Sequence, residues 1–144
     1  MIEADTIRLL RECDAGVKMG VSSIDDVIND IQSEQFREIL SKSKEEHMIL
    51  KAEIQSELDR FHDEGKEPAV MAKSMSWIKT NMKMAMNNTD NTIADLMTDG
   101  CNMGVKSLNK YLNKYEAADE KSKDITKRLI NLEEKLAIEI RDYL

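Results

Sequence analysis

Apolar side chains recur every three or four residues along almost the whole chain, the spacing of one face of an α-helix. A first stripe runs through Ile7, Leu10, Val17, Val21, Ile24, Ile28 and Ile31. Ser33 then offers an N-cap, with Glu34 at the positive end of the next helix dipole. The stripe of that helix is Phe36, Leu40, His47, Leu50, Ile54, Leu58 and Phe61. The stretch HDEGKEP interrupts it: Gly65 suits a helix end and Pro68 a first helical turn. A short, methionine-rich helix is expected over about 69–86, carrying Met71, Met75, Trp77, Ile78, Met82 and Met86. NNTDN at 87–91 is a second break, rich in capping residues. A long helix follows with Ile93, Leu96, Cys101, Val105, Leu108, Leu112 and Tyr115. The last one carries Ile125, Leu129, Leu132, Leu136, Ile140 and Tyr143. No segment alternates with period two for long enough to predict a strand. The expected fold is all-α: one domain over 1–144, with four antiparallel helices of about 25–30 residues and a short helix in the middle connection.

Four of the five glycines fall in two matching frames, GVKMGV from Gly16 and GCNMGV from Gly100. Aligning Met19 with Met103 brings Gly20 onto Gly104, Val21 onto Val105, Ser23 onto Ser107 and Asn29 onto Asn113. The chain therefore reads as two related helical hairpins, about 5–62 and about 90–143, joined by a crossover. A glycine inside a helix costs about 1 kcal/mol relative to alanine, so four of them need a compensation. The expectation is structural: Gly16, Gly20, Gly100 and Gly104 make smooth patches where the copied helices pack closely, on each other or on a crossing partner. Bending of the helices around large side chains is the alternative.

Composition narrows the function classes. Hydrophobic residues make up 41% and aromatics only 4%, so the core must be aliphatic and methionine-based. A net charge of -7 argues against nucleic-acid phosphates or an anionic membrane as partner. The N-terminal stretch mixes acids and bases with no apolar signal core, and no apolar run approaches a membrane span. A soluble, cytoplasmic protein is expected. Cys13 and Cys101 have no zinc or CxxC spacing and read as buried reduced thiols.

Three stretches resemble the ferritin-like four-helix-bundle superfamily, in a bacterial branch of domains of unknown function. They are LLRECDAGVKMGVSSIDDVI, EEHMILKAEIQSEL and the region from MAKSMSWIKTNMKMAMNN to GCNMGVKSLNKYL. The resemblance spans nearly the whole chain and implies the fold, not an activity. Di-iron members of that superfamily carry a Glu on each of two helices and Glu-x-x-His on each of the others. Here Lys44 stands three residues before His47, Asp59 three before His62, and the last helix has no histidine. The resemblance also implies an acid just after each repeat's first glycine, where this chain has Val17 and Cys101.

Two polar residues lie on apolar stripes, Asp14 and His47. Counted from a turn near Gln32 they share a level, and Cys101 reaches a similar level counted from the next turn. Asp14 is thus the expected partner of a buried His47. A thiol–imidazole–carboxylate cluster or a degenerate metal site is the sharper alternative. His62, beside a helix end, is assigned no function. The leading expectation is a non-enzymatic bundle without a cofactor, acting through self-association as a homo-oligomer or through a protein partner. A divergent iron or manganese oxidase or storage protein is the alternative, its ligands drawn from Asp14, Glu46, His47, Cys101 and Glu134. A third reading makes the protein a carrier of a small apolar ligand beneath the methionine-rich crossover.

Overall fold

The computed structural model describes residues 2–68, 77–85 and 89–144, and every regular element in them is helical. Helix α1 spans Ile2–Val27, α2 Glu34–Arg60, α3 Trp77–Ala85, α4 Asp90–Lys114 and α5 Glu120–Glu139. Short 3-10 turns follow α1 at Ile28–Asp30 and α5 at Arg141–Tyr143. The last helix is therefore shorter than the pattern suggests, because its final apolar residues, Ile140 and Tyr143, lie at and beyond its end. The predicted start of the methionine-rich helix, with Met71 and Met75, lies outside the described residues, as does Met86. Within α3, Met82 is buried and Met84 is exposed.

Side-chain caps set where the helices begin. Ser33 accepts from the Phe36 N–H, and Asp119 accepts from the Ser122 N–H. Asp90, in the first turn of α4, accepts from the backbone N–H groups of Gln32 and Ser33 at 2.8 and 2.9 Å. This clamp puts the α1–α2 turn and the start of α4 at one end of the bundle. At the other end, Asp5 and Thr6 of α1 accept from the N–H groups of Ala117 and Asp119 in the α4–α5 turn. Helix α1 thus runs antiparallel to α2 and α4, and parallel to α5. The segment after α2 must return along the bundle's length before α4 can begin, and α3 packs against both α1 and α4 on that face.

The core divides into two apolar clusters stacked along the axis. One gathers Ile24, Phe36, Leu40, Ile78, Ile93 and Leu136, among others. The other gathers Val17, Leu50, Ile54, Leu108, Ile125 and Leu129. On each long helix one short interval separates the two: Val17 to Ile24, Leu40 to Leu50, Cys101 to Leu108, and Leu132 to Leu136. Near its N-terminus α1 buries Thr6, Leu9, Leu10 and Cys13, while Ile7 of the predicted stripe is only half-buried. The buried face of α1 is broader than one line of three-and-four spacing because α2, α4 and α5 all contact it. No helix among the described residues is long and apolar enough to cross a membrane.

The end of α2 is capped differently from the sequence expectation. His62, not Gly65, takes the left-handed conformation just past the helix, with φ 56°, while the Asp63 N–H reaches back to the Leu58 carbonyl. Gly65, at φ 88°, bends the chain after that cap so that the Lys66 N–H can bond Asp14 Oδ2 at 2.9 Å. A Cβ on Gly65 would also collide with that carboxylate. Pro68 is buried in the non-helical segment that follows rather than opening a helix within the described residues. Two effects therefore require glycine here, backbone conformation and space. Gly65→Ala should lower the unfolding free energy by about 1–3 kcal/mol, read from the urea midpoint at unchanged slope.

Candidate functional site

Between the two core clusters the bundle carries a polar layer built from α2 and α5. His47 is fully buried on α2. Its Nδ1 lies 2.7 Å from the Ser43 carbonyl oxygen, one helical turn back. A carbonyl can only accept, so Nδ1 carries a proton and donates. Its Nε2 lies 2.9 Å from Oε1 of Glu133, which projects from α5 and is 9% exposed. Burial pulls the imidazole towards its neutral form, but the hydrogen bond and charge of Glu133, with Ser43 and Glu46 assisting, raise its pKa above the ordinary value. The pairing with Glu133 thus favours the charged ring. Cys101 of α4 completes the layer. Burial together with the nearby Glu133 carboxylate pushes the pKa of its thiol well up, so it stays protonated.

A cavity of about 420 Å³ lies against this layer. One wall is α1, through Ala15, Gly16, Met19, Gly20 and Ser23. The facing wall is α4, through Gly100, Met103, Gly104 and Ser107. Trp77 and Ile78 of α3 close one side. The floor is His47 and Glu133, flanked by Leu129 and Leu136. At the rim stand Glu12, Tyr111 and the post-α2 residues Lys66 and Glu67, the last two exposed. Lys66 Nζ bonds Glu12 at 2.6 Å, and Lys18 joins Asp14 to Glu67 at 2.8 and 3.0 Å.

All four repeat glycines face this cavity, which corrects the close-packing expectation for most of them. A Cβ on Gly16 would meet Leu129 at 3.6 Å, on Gly100 the Trp77 ring at 3.7 Å, and on Gly104 Glu133 at 3.7 Å. Those are ordinary contacts, and none of these nearest neighbours links α1 to α4. Only Gly20 makes a forced approach: a Cβ there would sit 2.8 Å from both Cδ2 and Nε2 of His47. The imidazole passes over the bare helix backbone, and glycine makes room for it.

The other expected site residues disperse. Asp14 is fully buried but does not reach His47. It pairs with Lys18 and the Lys66 N–H, and its Oδ1 has no hydrogen-bond partner among the described residues. The level count went astray because the 3-10 turn and the extended residues after it move the centre of the hairpin; Gly20 stands opposite His47, and Asp14 lies six residues, about 9 Å of helix rise, further along. Glu46 points outward to Lys135 at 3.1 Å. Glu134 is exposed, and the inward acid is its neighbour Glu133. A sequence signal for Glu133 existed: it is four residues after Leu129 and three before Leu136, on the stripe itself. Among the described residues no group of three or more His, Cys, Asp or Glu side chains is placed to hold a metal ion. Cys13 lies elsewhere, in the second cluster, bonded to Thr126 at 3.1 Å and with burial pushing its thiol up to about 12. Both cysteines are free thiols. Comparison with family models, curated proteins and solved structures gives no match.

Two measurements check this geometry. Gly20→Ala should cost about 1–3 kcal/mol because a ring held at both nitrogens cannot yield, whereas Gly104→Ala should be neutral or stabilise by up to about 1 kcal/mol. Equal denaturation midpoints for the two variants would contradict the forced approach. The second check is pH. A histidine pKa raised on folding contributes stability that is fully present below its unfolded value of about 6.5 and is lost as pH rises through the folded value. The stability difference between the native protein and Glu133→Gln should therefore be largest near pH 6 and shrink towards pH 9. Glu133→Ala should cost about 3 kcal/mol, and pairing His47→Leu with Glu133→Leu should recover most of it.

Proposed function

We propose that the protein is a non-enzymatic, ferritin-like bundle of two related hairpins that binds one small, largely apolar molecule between them. The observation that carries the reading is the cavity of about 420 Å³, a volume within the range of small-molecule sites. Helix-interior glycines are costly, and all four of those in the two matching frames line this one space. The ferritin-like assignment is supported by α1 running antiparallel to α2 and α4 and parallel to α5, with a long return between α2 and α4. The repeat supports it too, since the matched glycines of α1 and α4 face each other across the same cavity.

A binding role is favoured over catalysis by the state of the polar groups. Both ring nitrogens of His47 are engaged, and the Cys101 thiol is held protonated beside a carboxylate. A nucleophile needs the opposite environment. The cavity also favours ligand carriage over surface association, because it is the larger structural commitment of the sequence. Trp77 lines it and is the one tryptophan of the chain, so its fluorescence reports occupancy directly. The neutral apolar dye N-phenyl-1-naphthylamine should bind with 1:1 stoichiometry, quench Trp77 by energy transfer and gain fluorescence. Gly104→Leu, which fills the cavity, should abolish the signal. A native protein that leaves both signals unchanged would refute the carrier reading.

A further inference from the structure

The chemistry of the floor selects the ligand's buried end. His47 bonds Glu133 through Nε2 and donates from Nδ1 to the Ser43 carbonyl, so both ring nitrogens are engaged. The Glu133 carboxylate has about four lone-pair positions, of which the imidazole uses one. Its Oε2 lies 3.7 Å from where a Cβ on Gly104 would stand, on the cavity side. The hydrogen-bonding capacity left at the floor is therefore acceptor capacity alone. An apolar ligand ending in a carboxylate would bring a second anion to a buried carboxylate, whereas one ending in N–H groups would complete it.

The charge around the rest of the cavity points the same way. Among the described residues its lining holds three acids, Glu12, Glu67 and Glu133, against Lys66 and His47, with Lys18 bonded to Glu67 at the rim. The whole chain carries a net charge of -7. A cation is drawn towards such a surface and an anion repelled.

We infer that the ligand is an apolar amine, its alkyl or aryl body held between the glycine faces of α1 and α4 and its ammonium group donating to Glu133 and positioned by it. This inference rests on the carrier reading and adds the polarity of the head group. In its bound pose the ammonium meets the open lone pairs of Glu133 while the His47 bond to Oε1 stays in place. The hydrocarbon body lies against Leu129, Leu136 and Trp77.

The test compares three probes with one body and different heads, n-octylamine, n-octanol and octanoate, by Trp77 fluorescence and calorimetry at pH 7. Octylamine should bind about tenfold or more tighter than octanoate, with octanol between them, as expected for one added charge-assisted hydrogen bond. In Glu133→Gln the ratio of amine to octanoate affinities should collapse towards unity. In Gly104→Leu octylamine binding should be lost, which separates the cavity from adsorption on the acidic surface. Octanoate binding as tightly as octylamine, or octylamine binding undiminished in Gly104→Leu, would overturn the inference. If N-phenyl-1-naphthylamine still binds and responds to Gly104→Leu, the failure belongs to the head-group assignment and the carrier reading stands. If neither the dye nor octylamine enters, both fail together. The head-group series on the native protein needs no variant to fold, so the comparison holds even if Glu133→Gln is destabilised.

Discussion

The pairing of His47 with Glu133 is the constraint around which the middle of the bundle is organised. A buried imidazole and a buried carboxylate satisfy each other only if α2 and α5 meet in one register, because a shift by one turn would strand both. That register decides where the two apolar clusters end. It also decides what α1 can carry opposite the ring, and only a residue without a side chain fits there, which is Gly20. Three helices are thus fixed at one level by a single polar contact, with Cys101 of α4 beside the same carboxylate and the cavity directly against it.

The segment leaving α2 shows a related logic at the rim. Asp14 is buried on α1 and holds the Lys66 backbone, while Lys18 and Glu12 bond Glu67 and Lys66. These contacts draw the chain across one end of the cavity before it continues towards α3. Surface ion pairs of this kind contribute little stability individually. Their effect is positional: with Gly65 bending over Asp14, the rim acquires a fixed arrangement of charge. The price is Asp14 Oδ1, a buried acceptor left without a hydrogen bond among the described residues.

Much of the fold could be read from the chain because local signals and tertiary packing agreed. Ser33 and Asp90 sit where their side chains satisfy backbone donors, and both lie at breaks in the apolar pattern. The site was harder to read for physical reasons. A stripe identifies which residues face inward, but Glu133 looked like one more charge in the Glu133–Glu134–Lys135 run until a partner was visible across the bundle. The pairing of Asp14 with His47 failed because level counting assumes a tight turn, and the 3-10 turn at Ile28–Asp30 displaces the count. The glycine repeat signalled that something needed room. Whether that was a neighbouring helix, a side chain or a space depends on interhelical distance, which a one-dimensional pattern does not encode. All four glycines border the cavity, and Gly20 also yields to a ring.

A cavity walled by glycines has a thermodynamic consequence for the protein's lifetime. A molecule that binds only the folded bundle stabilises it relative to the unfolded chain. Any molecule that enters raises the unfolding free energy by RT ln(1 + [L]/Kd), about 2.7 kcal/mol at a hundredfold excess over Kd. Proteolysis in cells follows the small unfolded fraction. Occupied molecules would therefore persist while empty ones are cleared, and the level of the bundle would track the supply of what it holds without a dedicated regulator.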